Sequence, residues 1–145
     1  MLKYKKLEKQ ELRIHYEMVK SLYSQLSKRS GEPSLERLEA VIEADHVLLG
    51  ALDGDRLVGI GSLYILKMPK VTKCLIEDIV VDESARGKGV GRSITTKLIE
   101  EAKKIDANYV DLTSKRARVA SHKLYQSLGF EERESNIYRL HFKGY

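Results

Sequence analysis

The sequence predicts a chain of the α/β (α+β) class: a mixed central sheet with helices on both faces. Three observations carry this. Apolar spacing switches between the helical and strand periods in the order strand, two helices, three strands, helix, strand, helix, strand, strand. Asp53-Gly54-Asp55 joins two apolar runs with the chemistry of a tight hairpin turn. A glycine-rich stretch, Arg86-Gly87-Lys88-Gly89-Val90-Gly91, lies between an apolar strand and a helical pattern.

Each element follows from its residues. Residues 2–6 read as a short first strand. From about Glu8 to Lys28, Leu12, Val19, Leu22 and Leu26 follow helical spacing. Ser30-Gly31-Glu32-Pro33 ends that helix, and Ser34 caps a second one carrying Leu35, Leu38 and Ile42 on one face. His46 to Leu52 and Arg56 to Leu66 are the hairpin strands. Lys67 to Lys73, with Pro69, is a loop, and Leu75 to Val81 is the next strand. Val90, Ile94, Leu98, Ala102 and Ile105 form a helical stripe from about Gly89 to Lys104. Tyr109 to Thr113 is a strand. Arg118 to Leu128 is a helix with Leu124 and Leu128 inward and Gly129 at its C′ position. Phe130 to Arg133 and Asn136 to Phe142 read as two final strands. No repeat or linker interrupts this order, so residues 1–145 are expected to form one domain.

Composition narrows the function classes. A hydrophobic fraction of 42% and a charged fraction of 32% suit a globular protein with a core. No apolar run approaches the roughly 20 residues of a membrane span, and Met1-Leu2-Lys3-Tyr4-Lys5-Lys6 lacks the apolar segment of a signal peptide. The single cysteine, Cys74, cannot form an internal disulfide. Together these point to a cytoplasmic protein with no membrane partner. The net charge of +5 favours anionic partners: a phosphorylated cofactor, an acidic substrate or nucleic acid. A Lys-rich solvated surface explains the same charge equally well.

The glycine loop is the strongest chemical signal. Glycines before a helix let the backbone approach a ligand closely, and the free N–H groups of a first helical turn attract phosphate. Arg86, Lys88 and Arg92 add positive charge. Two familiar phosphate loops fail. A P-loop needs Lys-Ser or Lys-Thr after its glycines, which is absent here; a dinucleotide loop needs glycine where this chain has Ile94.

The remaining pattern, R-x-x-G-x-G over Arg86, Gly89 and Gly91, resembles the pyrophosphate-binding motif of the GNAT superfamily of acyl-CoA-dependent N-acyltransferases. Ile76-Glu77-Asp78-Ile79-Val80-Val81-Asp82 looks like that family's fourth strand. Ser121-His122-Lys123-Leu124-Tyr125-Gln126-Ser127-Leu128-Gly129-Phe130 looks like its later helix. The element order matches over nearly the whole chain, as in a bacterial-type single-domain member. The resemblance implies a mostly antiparallel sheet with a splay between strands 4 and 5. It implies that acetyl-CoA is the acyl donor, with backbone groups of Ile79, Val80 and Val81 pairing with the pantetheine arm. The pyrophosphate would rest on Gly87, Lys88, Gly89, Val90, Gly91 and Arg92, beside Arg86. Where many members carry Asn seven residues before the tyrosine, this chain has Arg118. Arginine can reach a phosphate, including the cofactor's 3′-phosphate, but cannot accept a hydrogen bond.

Acetyl transfer to an amine requires a deprotonated amine, an oxyanion donor and, for the leaving thiolate, a proton. By resemblance the oxyanion donor is an N–H at Val80 or Val81. Tyr125 is the candidate acid, because a phenol is protonated at neutral pH and can protonate a thiolate; otherwise it packs its helix. Glu77 is the candidate base, directly or through water, with Asp78 the lesser candidate. Strand alternation sends these two carboxylates to opposite faces unless a bulge intervenes. The four histidines show no metal-ligand spacing, and with one cysteine no metal is expected. Cys74 reads as a small buried residue, and His15 as packed. The acceptor is expected to be an amine of a small molecule or peptide. Glu77, Asp78, Glu134, Tyr16, Tyr23 and Tyr64 suit a cationic amine. Two rival readings are a non-catalytic acyl-CoA sensor and a basic nucleic-acid-binding module, though no nucleic-acid motif appears. The apolar run Ile137 to Phe142 offers an edge for a homodimer.

Overall fold

Five strands form one open sheet in the order β1-β2-β3-β4-β5, and the hairpin signal sets its centre. They are β1 (Leu2–Lys6), β2 (His46–Asp53), β3 (Arg56–Lys67), β4 (Thr72–Val81) and β5 (Tyr109–Asp111). The computed structural model describes residues 1–27 and 31–144. The expected helix end at Lys28 and the break at Ser30 lie outside the described residues. The chain divides into two compact units, Met1–Leu112 and Thr113–Tyr145.

In the first unit, β1–β2, β2–β3 and β3–β4 are antiparallel, and β4–β5 is the parallel pair. Asp53 pairs with Arg56 across the predicted turn. The expected loop before β4 is shorter than its sequence suggests, because β3 runs to Lys67 and β4 starts at Thr72.

The predicted first helix is two helices. α1 (Lys9–Ile14) opens with a capping box between Glu8 and Glu11, and α2 (Tyr16–Leu26) begins after His15, whose φ is −103° and ψ 13°. One apolar stripe reads through the break because Leu12, Val19 and Leu22 all reach the same core. α3 (Leu35–Glu43) is capped as expected, with the Arg37 N–H donating to Ser34 Oγ at 3.1 Å. Helices α1, α2 and α3 bury Leu12, Val19, Leu22 and Leu38 against Leu48, Leu52, Ile60 and Val80 on one face of the sheet.

α4 (Val90–Lys104) covers the opposite face. Two glycines in β3 let it come close. A Cβ on Gly61 would stand 2.6 Å from Ile94 Cγ2, and one on Gly59 would stand 3.1 Å from Ile94 Cδ1. Ile94 and Leu98 are completely buried there, and each such side chain contributes about 1.5–3 kcal/mol by leaving water.

The second unit holds α5 (Val119–Ser127), which ends at the predicted glycine. The Phe130 N–H donates to the Tyr125 carbonyl at 3.0 Å and the Gly129 N–H to the Gln126 carbonyl at 3.0 Å, with Gly129 at φ +95°. This is the Schellman pairing. Two expectations fail here. Leu124 and Leu128 are half-buried rather than inward, and α5 has no buried residue. The two final strands, Phe130 to Arg133 and Asn136 to Phe142, are not formed: Ile137, Tyr138, Leu140 and Phe142 are 73–89% exposed. Their alternation suits a strand, but a strand needs a partner edge to satisfy its backbone, and none pairs with this segment among the described residues.

Candidate active site

The site grows from an irregularity in the β3–β4 ladder. Ile60 opposes Val80 and Ser62 opposes Glu77, so one β3 residue faces two in β4. Asp78, within this bulge, takes φ +54°, a left-handed value that Asp tolerates better than most residues. The extra residue resets the alternation. Val80 joins the α1–α3 core, whereas Ile79 and Val81 lie toward α4, beside the positions of Gly61 and Gly91. Glu77, opposite Ser62, and Asp78 now share the α1–α3 face. The bulge that strand alternation left conditional is present.

The two carboxylates belong to a polar group on that face. Tyr64 of β3 has its phenol pushed up chiefly by burial, then by the negative charges of Asp78 and Glu77, while Ser62 and Arg37 pull the other way. Tyr23 of α2 is pushed up by burial, then by Asp78 and Tyr64, with Ser62 as its opposing hydrogen-bond partner. Burial raises Asp78 above the usual carboxylate range. His46 opposes Tyr64 across β2–β3 and packs on its ring at 4.6 Å between centroids. Burial lowers its pKa to about 4, and among the described residues neither ring nitrogen has a hydrogen-bond partner. Tyr16, expected among the amine contacts, instead donates its hydroxyl to the Pro33 carbonyl at 2.9 Å.

The other edge of β4 is open. β5 pairs with β4 only over Lys73–Leu75. From Ile76 to Val81, no strand among the described residues pairs on the side away from β3. This opening is the splay, and Ile79, Val80 and Val81 lie along it.

After β4, a short 3₁₀ turn, Glu83–Ala85, leads to the glycine loop. Gly87 and Gly89 have φ of +79° and +77°, and a Cβ at either would meet nothing within 4 Å. The loop is therefore open outward as well as conformationally dependent on glycine. Gly89 is the N-cap of α4, whose first helical bond runs from the Ser93 N–H to the Gly89 carbonyl at 3.0 Å. The Val90 and Gly91 amides precede that bond, at the positive end of a 15-residue helix. Lys88 is exposed beside them. This arrangement suits a pyrophosphate: amides of a first helical turn, no obstructing side chains and positive charge. Arg86 is committed locally, its Nε donating to the Val81 carbonyl at 3.1 Å.

Tyr125 and Arg118 both belong to the second unit. Burial raises the Tyr125 phenol, opposed by the Arg118 charge. Its ring meets Phe130 edge-on at 5.9 Å. His122 donates from Nε2 to the Lys115 carbonyl at 2.9 Å. Cys74 is buried, with its thiol pushed up by burial, as a packed residue should be. Among the described residues no cluster of His, Cys, Asp and Glu could hold a metal ion, and no helix is long and apolar enough to cross a membrane.

Sequence reasoning missed Gln25, Arg56 and Asp82, which meet at the turn leading into the glycine loop. Asp82-Glu83-Ser84 carries a local capping signal, but nothing local marks Gln25, whose partner is 57 residues away. A cleft of about 550 Å³, lined by Ile14, Met18, Asp55 and Leu57 among others, contains none of the sequence-predicted site residues.

The first unit thus combines a mostly antiparallel sheet, a bulged, half-open fourth strand and a glycine loop capping the next helix. The chain belongs to the Acetyltransferase (GNAT) family, whose sequence profile matches residues 13–130. It is 29% identical over 99 residues to an uncharacterized N-acetyltransferase, YvbK, of Bacillus subtilis (strain 168), covering 68% of this chain and 61% of that protein. It is 34% identical over 70 residues to glucosamine 6-phosphate N-acetyltransferase 1 of Oryza sativa subsp. japonica, covering 44% of this chain and 42% of that protein. Both matches span less than two thirds of the relatives' length. The crystal structure of glucosamine-6-phosphate N-acetyltransferase from Arabidopsis thaliana has the same fold, with a TM-score of 0.80, 24% identity and 99% coverage of both chains. Acetyltransferases of this family use acetyl-CoA as acyl donor.

Proposed function

We propose that this enzyme transfers an acetyl group from acetyl-CoA directly to a primary amine of a small molecule or peptide in a ternary complex. The observation that carries the reading is the bulge at Asp78. It turns Glu77 and Asp78 to one face, while the adjoining strand edge stays open. An amide-bearing pantetheine arm suits the open edge at Ile79, Val80 and Val81 as an added strand. The pyrophosphate suits the amides from Gly87 to Arg92, and Arg118 the 3′-phosphate.

Glu77 takes a proton from the acceptor ammonium, directly or through water. The freed amine nitrogen attacks the thioester carbon, whose oxygen becomes an oxyanion facing an amide of Val80 or Val81. The C–S bond breaks as the amide forms, the thiolate receives the proton of Tyr125, and the second proton of the attacking nitrogen passes through water to the Tyr125 phenolate. Burial, which keeps that phenol protonated, supports its assignment as acid. The two carboxylates and the Tyr23 and Tyr64 phenols favour a cationic acceptor.

Thermal unfolding with acetyl-CoA tests the donor. Ligand at about 100 times its dissociation constant should stabilise the fold by about 2.7 kcal/mol. Mass spectrometry of a panel of polyamines, amino acids, aminoglycosides, peptide N-termini and amino sugars tests the acceptor. Glucosamine 6-phosphate joins that panel because the rice relative is named for it. A shift with DNA and none with CoA compounds would overturn the reading.

A further inference from the structure

Asp82, the residue after β4, is buried and hemmed in by donors. Gln25 Nε2 donates to its Oδ1 at 2.9 Å, and Arg56 Nη2 donates to its Oδ2 at 3.1 Å. The Ser84 N–H donates to Oδ2 at 3.2 Å, and the Ser84 hydroxyl donates to it as well. With these partners the carboxyl pKa falls to about 2, so Asp82 is an anion at any working pH.

Gln25 does more than satisfy Asp82. Its Oε1 accepts the Glu83 N–H at 3.1 Å and lies 3.5 Å from Arg86 Nη2. The Glu83 amide can only donate, so the Gln25 carbonyl must face it, and this turns Nε2 onto Asp82. Arg86 in turn holds the Val81 carbonyl. One side chain of α2 therefore grips both ends of the turn that delivers the glycine loop. Tyr23, two residues earlier on α2, feels the Asp78 charge on the α1–α3 face.

The geometry points to Gln25 and Asp82 as a positioning pair that sets the glycine loop against α2, so that acyl-donor binding depends on a helix of the acceptor side. The proposal rests on the acetyl-CoA reading above. Neither residue touches the reacting atoms. They act through the loop, whose amides bind the pyrophosphate only if held at the correct spacing.

The donor and acceptor atoms of the pair can be exchanged. Gln25→Glu keeps the acceptor facing Glu83 but sets a carboxylate against Asp82. Asp82→Asn, added to it, places Nδ2 toward position 25 and keeps an oxygen toward Arg56 and Ser84. Calorimetry with acetyl-CoA, steady-state kinetics and melting curves compare the wild type, Gln25→Glu, the double variant and the neutral Gln25→Met. Gln25→Glu should weaken acetyl-CoA binding by about tenfold or more and raise the donor KM, leaving the acceptor KM within about twofold. The double variant should recover most of that loss. Amide exchange at Glu83 should speed up in Gln25→Met, which reads the tether even where Gln25→Glu fails to fold. Unchanged donor affinity in a folded Gln25→Glu, equal rises in both KM values, no recovery in the double variant, or unchanged Glu83 exchange in Gln25→Met would each overturn the tether. Failure of the wild type itself to bind acetyl-CoA would overturn the acetyltransferase reading, and the tether with it.

Discussion

The two compact units hold their elements by different means. Met1–Leu112 contains every buried hydrophobic side chain found among the described residues, including Leu12, Ile60, Leu63, Ile94 and Leu98, all fully inaccessible. Thr113–Tyr145 contains a helix with no buried residue and four apolar side chains that stand 73–89% exposed. Its helix rests on local geometry: a Schellman end at Gly129 and an edge contact between Tyr125 and Phe130. The contrast teaches that capping needs only neighbours in sequence, whereas a strand needs a partner brought from far away.

Chemistry gives the largest expected effect on this comparison. Glu77→Gln in the first unit and Tyr125→Phe in the second should each lower kcat by roughly a hundredfold or more if they act as base and acid, with acetyl-CoA affinity nearly unchanged. A loss for Glu77→Gln alone would confine catalysis to the first unit and leave Tyr125 as packing. Unaffected turnover in both would remove the acid–base assignment.

Stability should separate the units next. Leu98→Ala, at a site with no exposure, should cost about 2–5 kcal/mol by chemical denaturation. Leu140→Ala, at 79% exposure, should stay within about 0.5 kcal/mol. A large cost at Leu140 would mean that the final segment is covered in solution, for instance by a second copy of the chain.

The pH response should come from the first unit. Burial holds the His46 pKa at about 4, below the ordinary histidine value. The unfolded chain therefore takes up this proton first as pH falls. The contribution is complete above about 6.5 and is lost as pH falls toward 4, on the order of 1–2 kcal/mol after allowance for partial solvent access. Melting curves from pH 8 to 4 should show it, and His46→Phe should flatten that slope. Asp82 acts lower: its stabilisation, complete above the ordinary carboxylate pKa, is lost as pH falls toward 2.

Gly129→Ala should have a local effect of about 1–2 kcal/mol, seen as faster amide exchange at the end of α5, because Gly129 sits at φ +95°. Unchanged exchange there would mean that Gly129 does not fix the end of α5.

Much of the local structure around the candidate site was legible because its signals are short. The glycines of Arg86 to Gly91 mark a helix start, and the structure has Gly89 as the N-cap of α4. Gly129 marks the end of α5 as a C′ glycine, and the Schellman pairing is present there. The single first helix was wrong because one apolar stripe continues across the break at His15. The final strands were wrong because alternation records a preference for pleated surface without recording whether an edge exists to receive it. Gln25 was illegible for the same reason: its partner lies across the fold.

By itself the sequence determined the order of elements from β2 to α5, the hairpin, the Ser34 and Gly129 caps and the glycine loop before α4. Each of these depends on the backbone preferences of a few adjacent residues. Only tertiary structure decided that Glu77 and Asp78 share a face, that the β4 edge is open from Ile76 onward, and that α2 is tied to the loop through Asp82. Those outcomes depend on which strand pairs with which and in what register. A one-residue shift in the β3–β4 ladder, invisible to alternation, moves a carboxylate from one side of the sheet to the other.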